Sequence, residues 1–119
     1  HAWNKADGGE PLGKWDRFLA TEFSHFLTRM RNTSAAPESS DSLLDYTTFL
    51  YGSSNSTTHT NRNYPLVLAG GKKLGFKHGQ YLKFTRDTPF SNIFSTQLQQ
   101  IGLKNTRFGD STGIVGELI

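Results

Sequence analysis

The sequence predicts an α/β fold in which a sheet of about three strands is flanked by two helices. Two segments have apolar residues at helical spacing, and between them lie three short segments rich in the aromatic, aliphatic and β-branched residues typical of strands. The chain has 119 residues, enough for one hydrophobic core, so we expect residues 1–119 to form a single α/β region.

The first helix is predicted over residues 12–30, where apolar side chains recur three and four positions apart, as on one helical face. These side chains are Trp15, Phe18, Leu19, Phe23, Phe26, Leu27 and Met30. Pro11 fits a first helical turn, because the N–H that proline lacks would be unpaired there. His25 lies within this helix, and we interpret it as a surface or partly buried side chain.

Three strands are predicted after a Ser/Ala/Pro-rich loop. Residues 43–51 (LLDYTTFLY) are almost continuously apolar or β-branched, which indicates a strand buried on both faces. Residues 65–69 (PLVLA) have the same character and precede two glycines. Residues 79–84 alternate and predict a third strand.

The second helix is predicted over residues 89–103, followed by a glycine-rich tail, FGDSTGIVGELI, that we expect to pack against the core. The helical spacing rests on Phe90, Ile93, Phe94, Leu98 and Ile101. The GDSTG stretch in the tail does not have the G-x-S-x-G order of a nucleophile elbow. Asp110 and Ser111 are therefore expected to make local turn hydrogen bonds.

Composition excludes several classes of protein. Without cysteine the chain has no disulfide, thiolate metal site or cysteine nucleophile, and without an apolar run near the roughly 18 residues of a membrane span it has no transmembrane segment. The net charge of +3 comes from interspersed charges. The densest basic stretch has aromatic residues between its charges, a pattern that can bind nucleic acid, but its few charges favour solvated lysines and no nucleic-acid partner. The basic residues are Lys72, Lys73, Lys77, Lys83 and Arg86, and the aromatic residues are Phe76, Tyr81 and Phe84.

The segment YGSSNSTTHTNRNYP, residues 51–65, joins the first two predicted strands and is the main candidate site. In open α/β sheets, ligands bind where loops follow the carboxyl ends of strands. His59 could ligate a metal and Arg62 could hold an anion, while hydroxyl and amide contacts could come from Thr58, Asn55 and Asn61. The alternative is an ordinary polar loop, since loops are rich in such residues.

Further metal ligands are scattered, and no tight motif such as H-E-x-x-H is present. The candidates besides His59 are His1, His78, Asp7, Asp45 and Asp110. If His1 is a true mature terminus, its amine and imidazole could also chelate copper. Because the sequence starts with histidine instead of methionine, we expect a processed, truncated or incompletely known chain.

Four blocks of the sequence together resemble the C-terminal part of a family of exported bacterial proteins of unknown function. The blocks are SLLDYTTFLYGSSNSTTHTNRNYPLVLAGG, KHGQYLKF, TPFSNIFSTQLQQIGL and FGDSTG. Their order and spacing agree with the family from Trp15 to Gly113, although its members are several times longer. That family is in turn remotely similar to the alkaline phosphatase and sulfatase superfamily.

The resemblance implies a larger alkaline-phosphatase-like α/β fold that holds divalent metals, such as zinc, manganese or calcium, in a periplasmic or extracellular protein. His59 would match the histidine of a late Asp-His loop, and His1 would fall in a histidine-rich segment. Thr58 stands where the superfamily prefers aspartate. The nucleophile would lie upstream of this chain, so the expected partner is that upstream segment, another subunit or a second copy, which would cover open strand edges. A structural or self-assembling protein that retains the fold is the alternative.

Overall fold

The computed structural model describes residues 9–55, 60–63, 65–85, 87–104 and 107–119. Two α-helices and two β-strands form the framework: α1 (Gly9–Asn32), β1 (Thr48–Gly52), β2 (Leu66–Gly70) and α2 (Ser91–Gln100). Short 3-10 helices occupy Leu43–Tyr46, Lys72–Leu74 and Gly116–Leu118. The broad α/β prediction and both predicted helices are confirmed.

The strands β1 and β2 form an antiparallel pair, in which Thr48 is opposite Gly70 and Gly52 is opposite Leu66. Side chains alternate between the two faces of such a pair. On one face, Tyr51 stacks on Phe23 of α1 with ring centroids 4.6 Å apart. On the other, Leu68 packs against the hydrophobic core, so the strand pair lies between α1 and the core.

The core is formed by Phe76, Val115 and Leu118, and both of the last two belong to the tail. The partly buried side chains around them are Leu68, Leu74, Leu82, Ile93 and Ile119. Two of the three buried apolar side chains in the described part of the chain therefore belong to the tail, which confirms the prediction that the tail packs. The burial of Phe76, which is 4% exposed, also removes it from the aromatic residues available to stack on a nucleic acid base.

The first predicted strand is only partly a strand. Residues Leu43–Tyr46 form a 3-10 turn because the Asp45 carboxylate accepts hydrogen bonds from the backbone N–H of Ser42 at 2.8 Å and from its hydroxyl at 2.7 Å. This side-chain arrangement is a capping box, which gives the backbone an alternative to a strand ladder. The remaining strand, β1, is partly buried on both faces from Thr48 to Tyr51, so the prediction of a strand buried on both faces is met only in part.

The third predicted strand, residues 79–84, is not formed, and the described part of the chain has a two-stranded sheet. Leu82 alone packs against the core, whereas Tyr81 is 89% exposed. Gln80 is held by a side-chain hydrogen bond to the Glu117 carbonyl at 2.7 Å. The alternation in this segment therefore reflects one anchoring leucine in an irregular chain.

The helix α2 buries a polar face. Its buried residues are Ser91, Asn92, Ser95 and Thr96, while Ile101, which follows the helix, is exposed. The hydroxyl of Ser95 donates to that of Ser111 at 2.8 Å, and the hydroxyl of Ser91 donates to Asp110 at 2.6 Å. Ser111 also donates to the Gly113 carbonyl at 2.8 Å. The expected local turn bond of Ser111 is thus present, and both tail residues also fasten the tail to α2.

Among the described helices, none is long and apolar enough to cross a membrane.

Candidate functional site

The candidate segment emerges from one end of the strand pair. Because Gly52 is opposite Leu66, residues 53–65 connect β1 to β2 at that end, and we call them the connecting segment. They follow the carboxyl end of β1, as predicted, but they precede the amino end of β2, because the pair is antiparallel. Of the two described strands, only β1 therefore has its carboxyl end at this site, whereas parallel strands would place several carboxyl ends there.

Three of the predicted site residues lie in the described part of the connecting segment. Asn55, Asn61 and Arg62 are all exposed. The backbone at Asn55 is held in a turn, since Ser53 donates its hydroxyl to the Asn55 carbonyl at 2.7 Å and accepts from the Asn55 N–H at 3.1 Å. These contacts leave the Asn55 side chain at the surface. Arg62 contributes a fixed positive charge to the same segment.

Four further predicted ligands lie outside the described residues. Thr58 and His59 fall in the gap at 56–59, and His1 and Asp7 fall in the gap at 1–8. Their assignment as ligands therefore stays a prediction.

His78 lies at the far end of the strand pair from the connecting segment. Its Nε2 is 2.7 Å from the carbonyl oxygen of Gly70, the last residue of β2. A strand rises about 3.3 Å per residue, so Gly70 is roughly 13 Å along β2 from Leu66, where the connecting segment joins. His78 is therefore not brought to the site at the connecting segment.

A shallow cleft of 390 Å³ lies at that far end. Its walls are mainly apolar, and its charged side chains are Asp45 and Lys72, with His78 beside them. Residues lining the cleft also include Leu44, Leu68, Ala69 and Gly70. Sequence reasoning missed this cleft, although the spacing Ser42-x-x-Asp45 is a readable capping-box signal that would have placed a turn there.

Hydrogen bonds lower the pKa of two carboxylates, Asp45, which lines the cleft, and Asp41, which lies four residues earlier in the sequence. The Tyr46 hydroxyl, which donates to Asp41 at 2.8 Å, lowers the pKa of Asp41, and Lys73 at 3.2 Å lowers it further. Hydrogen bonds from Ser42 lower the pKa of Asp45. The same contacts with Asp41 raise the pKa of Tyr46 and of Lys73. A carboxylate held ionised accepts hydrogen bonds and is a poor proton donor near neutral pH.

The donor chemistry of the connecting segment suits a divalent cation. Imidazole nitrogen is an ordinary ligand of zinc, amide oxygen is an ordinary ligand of calcium and manganese, and both types occur in this segment. Within the ranges that the structure describes, no three histidine or carboxylate side chains come together as a metal site. Any such site at the connecting segment would therefore depend on His59 and on ligands from elsewhere.

No family model, curated protein or solved structure matches this chain.

Proposed function

We propose that this chain is the C-terminal part of an exported protein similar to metal-dependent phosphate or sulfate ester hydrolases, and that it supplies metal-binding and substrate-binding groups without being a complete enzyme. The observation that carries the proposal is the position of the connecting segment. It follows the carboxyl end of β1 and bears exposed amide and guanidinium groups next to the sequence position of His59.

In this proposal His59 is the principal metal ligand and His1 is the second. A bound divalent ion would polarise the ester and activate the nucleophile. Arg62 would hold the anionic phosphate or sulfate oxygens through a forked pair of hydrogen bonds. Asn55 and Asn61 would donate amide hydrogens to the remaining oxygens, with Thr58 beside them.

The test is hydrolysis by the protein as it is produced in its natural host. Nitrophenyl phosphate and nitrophenyl sulfate serve as probes, with zinc, manganese or calcium added and with a chelator as the control. We expect metal-dependent turnover that His59→Ala abolishes. The matched control is His25→Ala, because His25 is an exposed histidine on α1 that lies 3.6 Å from Glu22.

A second candidate function is a structural or self-assembling extracellular protein that keeps the fold without the chemistry. The large exposed side chains of α1 favour it, since Trp15 and Phe18 lie at the surface. In that case no nitrophenyl ester is hydrolysed with any added metal. Such a result would overturn the hydrolase proposal.

A further inference from the structure

The apolar stripe of α1 extends beyond the strand pair that it covers. In the C-terminal half of the helix, Phe23 stacks on Tyr51, and Phe26 meets Phe49 edge-on with ring centroids 4.9 Å apart. Before Phe23, residues 9–22 of the helix are all exposed. We call residues 9–22 the overhang.

The overhang presents a large apolar surface. Trp15 is 57% exposed and Phe18 is 52% exposed, and their rings stack on each other at 5.6 Å. Leu12 and Leu19 are exposed beside them. Contiguous exposed apolar side chains of this size, bordered by charges, are typical of a protein interaction surface.

The charges around Phe18 indicate which partner fits this surface. Lys14 is four residues before Phe18 and Glu22 is four residues after it, so all three lie along one side of the helix. A two-fold axis through Phe18 and perpendicular to α1 would place Lys14 of each copy beside Glu22 of the other. The surface is therefore complementary to itself, which is the requirement for an isologous dimer.

Both charged side chains are exposed, although Glu22 also lies 3.6 Å from His25 on its own helix. Those of Lys14 and Glu22 are 74% and 57% exposed. Lys14 already contacts Glu10 at 2.6 Å within its own helix. Its ammonium group has three N–H donors, so it can bind a second carboxylate as well.

We propose that two copies of this chain associate through an antiparallel pairing of their α1 helices, centred on Phe18. The stacked Trp15 and Phe18 rings of both copies form the apolar centre of the interface, and the two Lys14–Glu22 pairs flank it. This interface is independent of the ester-hydrolase proposal and of the connecting segment.

The test is sedimentation equilibrium of the 119-residue chain over a range of concentrations. We expect the wild-type chain to dimerise and Phe18→Glu to be monomeric. Lys14→Glu and Glu22→Lys should each weaken dimerisation by tenfold or more, since each places like charges beside each other twice. An equimolar mixture of these two variants should regain the affinity, because every contact between unlike copies then joins opposite charges.

The mixture separates an intermolecular contact from an effect on the fold, since a variant with a damaged monomer is not repaired by mixing. Tyr81→Glu is the matched control, because Tyr81 is an even more exposed aromatic residue far from α1 in sequence, and this variant should dimerise like the wild type. Far-UV circular dichroism verifies that each variant keeps its helix content. A wild-type chain that is monomeric throughout, or a mixture that does not regain affinity, overturns the proposal and favours another occupant of the overhang.

Discussion

Thr96 provides the sharpest test of the packing between α2 and the tail. Its side chain is completely buried, at 0% exposure. The hydroxyl accepts a hydrogen bond from the backbone N–H of Val115 at 2.8 Å and donates to the Asn92 carbonyl at 2.7 Å. Thr96→Val keeps the shape of the side chain but removes the acceptor. The Val115 N–H is then buried without a partner.

The expected cost follows from that one orphaned donor. A buried polar group left without a hydrogen bond costs about 1–3 kcal/mol. For a chain of this size the entropy of unfolding is near 0.25 kcal/mol/K, so the melting temperature should fall by roughly 4–12 °C. The assay is urea and thermal unfolding followed by circular dichroism.

The matched control is Thr28→Val. The Thr28 hydroxyl donates to the Ser24 carbonyl at 2.9 Å on the exposed surface of α1, where water can replace it. We expect a change of at most about 0.5 kcal/mol there. If Thr96→Val is as stable as the wild type, or if both variants lose the same amount, the hydroxyl of Thr96 does not hold the tail and the reasoning is refuted.

Three further predictions concern Gly71, the Asp45 carboxylate and the proposed metal ligand His59. Gly71→Ala should be less stable than Gly79→Ala by about 1–3 kcal/mol in urea unfolding. Both glycines have positive φ, but a Cβ at Gly71 would lie 2.7 Å from Thr48, whereas nothing lies within 4 Å of a Cβ at Gly79. Equal losses of stability in the two variants would contradict this prediction. The hydrogen bonds that lower the pKa of Asp45 stabilise the fold at pH values above about 4, the ordinary pKa of an aspartate. The stability lost in Asp45→Asn should therefore be largest at neutral pH and shrink as the pH falls below about 4. A difference that does not depend on pH would contradict that contribution. Hydrolysis of nitrophenyl phosphate or nitrophenyl sulfate should require both added metal and His59.

The two helices and the packed tail could be predicted because each depends on a local pattern, although the helix ends differ from the predicted ones by two or three residues. The period of apolar residues in α1 is set by the helix itself and does not depend on what covers it. Residues 79–84, of which Leu82 is the partly buried residue that packs against the core, show the limit of the same reasoning. Alternation over residues 79–84 was read as a strand, but a strand also needs a neighbour with free backbone groups, and sequence spacing does not reveal that neighbour.

The polar face of α2 could not be predicted for a related reason. The apolar spacing of the predicted helix includes Ile101, which is exposed, whereas Ser95 and Thr96 are buried. The tail meets this face through the backbone N–H groups of Phe108 and Val115, which need oxygen acceptors. The path of the tail decides which face of α2 meets these donors. Phe108 lies 13 positions from its acceptor Ser95, and Val115 lies 19 positions from its acceptor Thr96, so local spacing does not reveal the contact.

The candidate site was also predictable only in part. Composition identified a polar connection between two strands, and Asn55, Asn61 and Arg62 lie exposed on it. The direction of pairing was not readable from the strands, because both runs are too short and too uniformly apolar to distinguish parallel from antiparallel neighbours. That direction places His78 at the opposite end of the pair, where it belongs to the cleft.

The most direct test of the hydrolase account is the metal content of the protein produced in its natural host, measured by elemental analysis together with its intact mass. The account predicts a stoichiometric divalent metal in the wild-type protein that is lost in His59→Ala and retained in His25→Ala. A wild-type protein that carries no metal, or a His59→Ala variant that keeps all of it, would contradict the account.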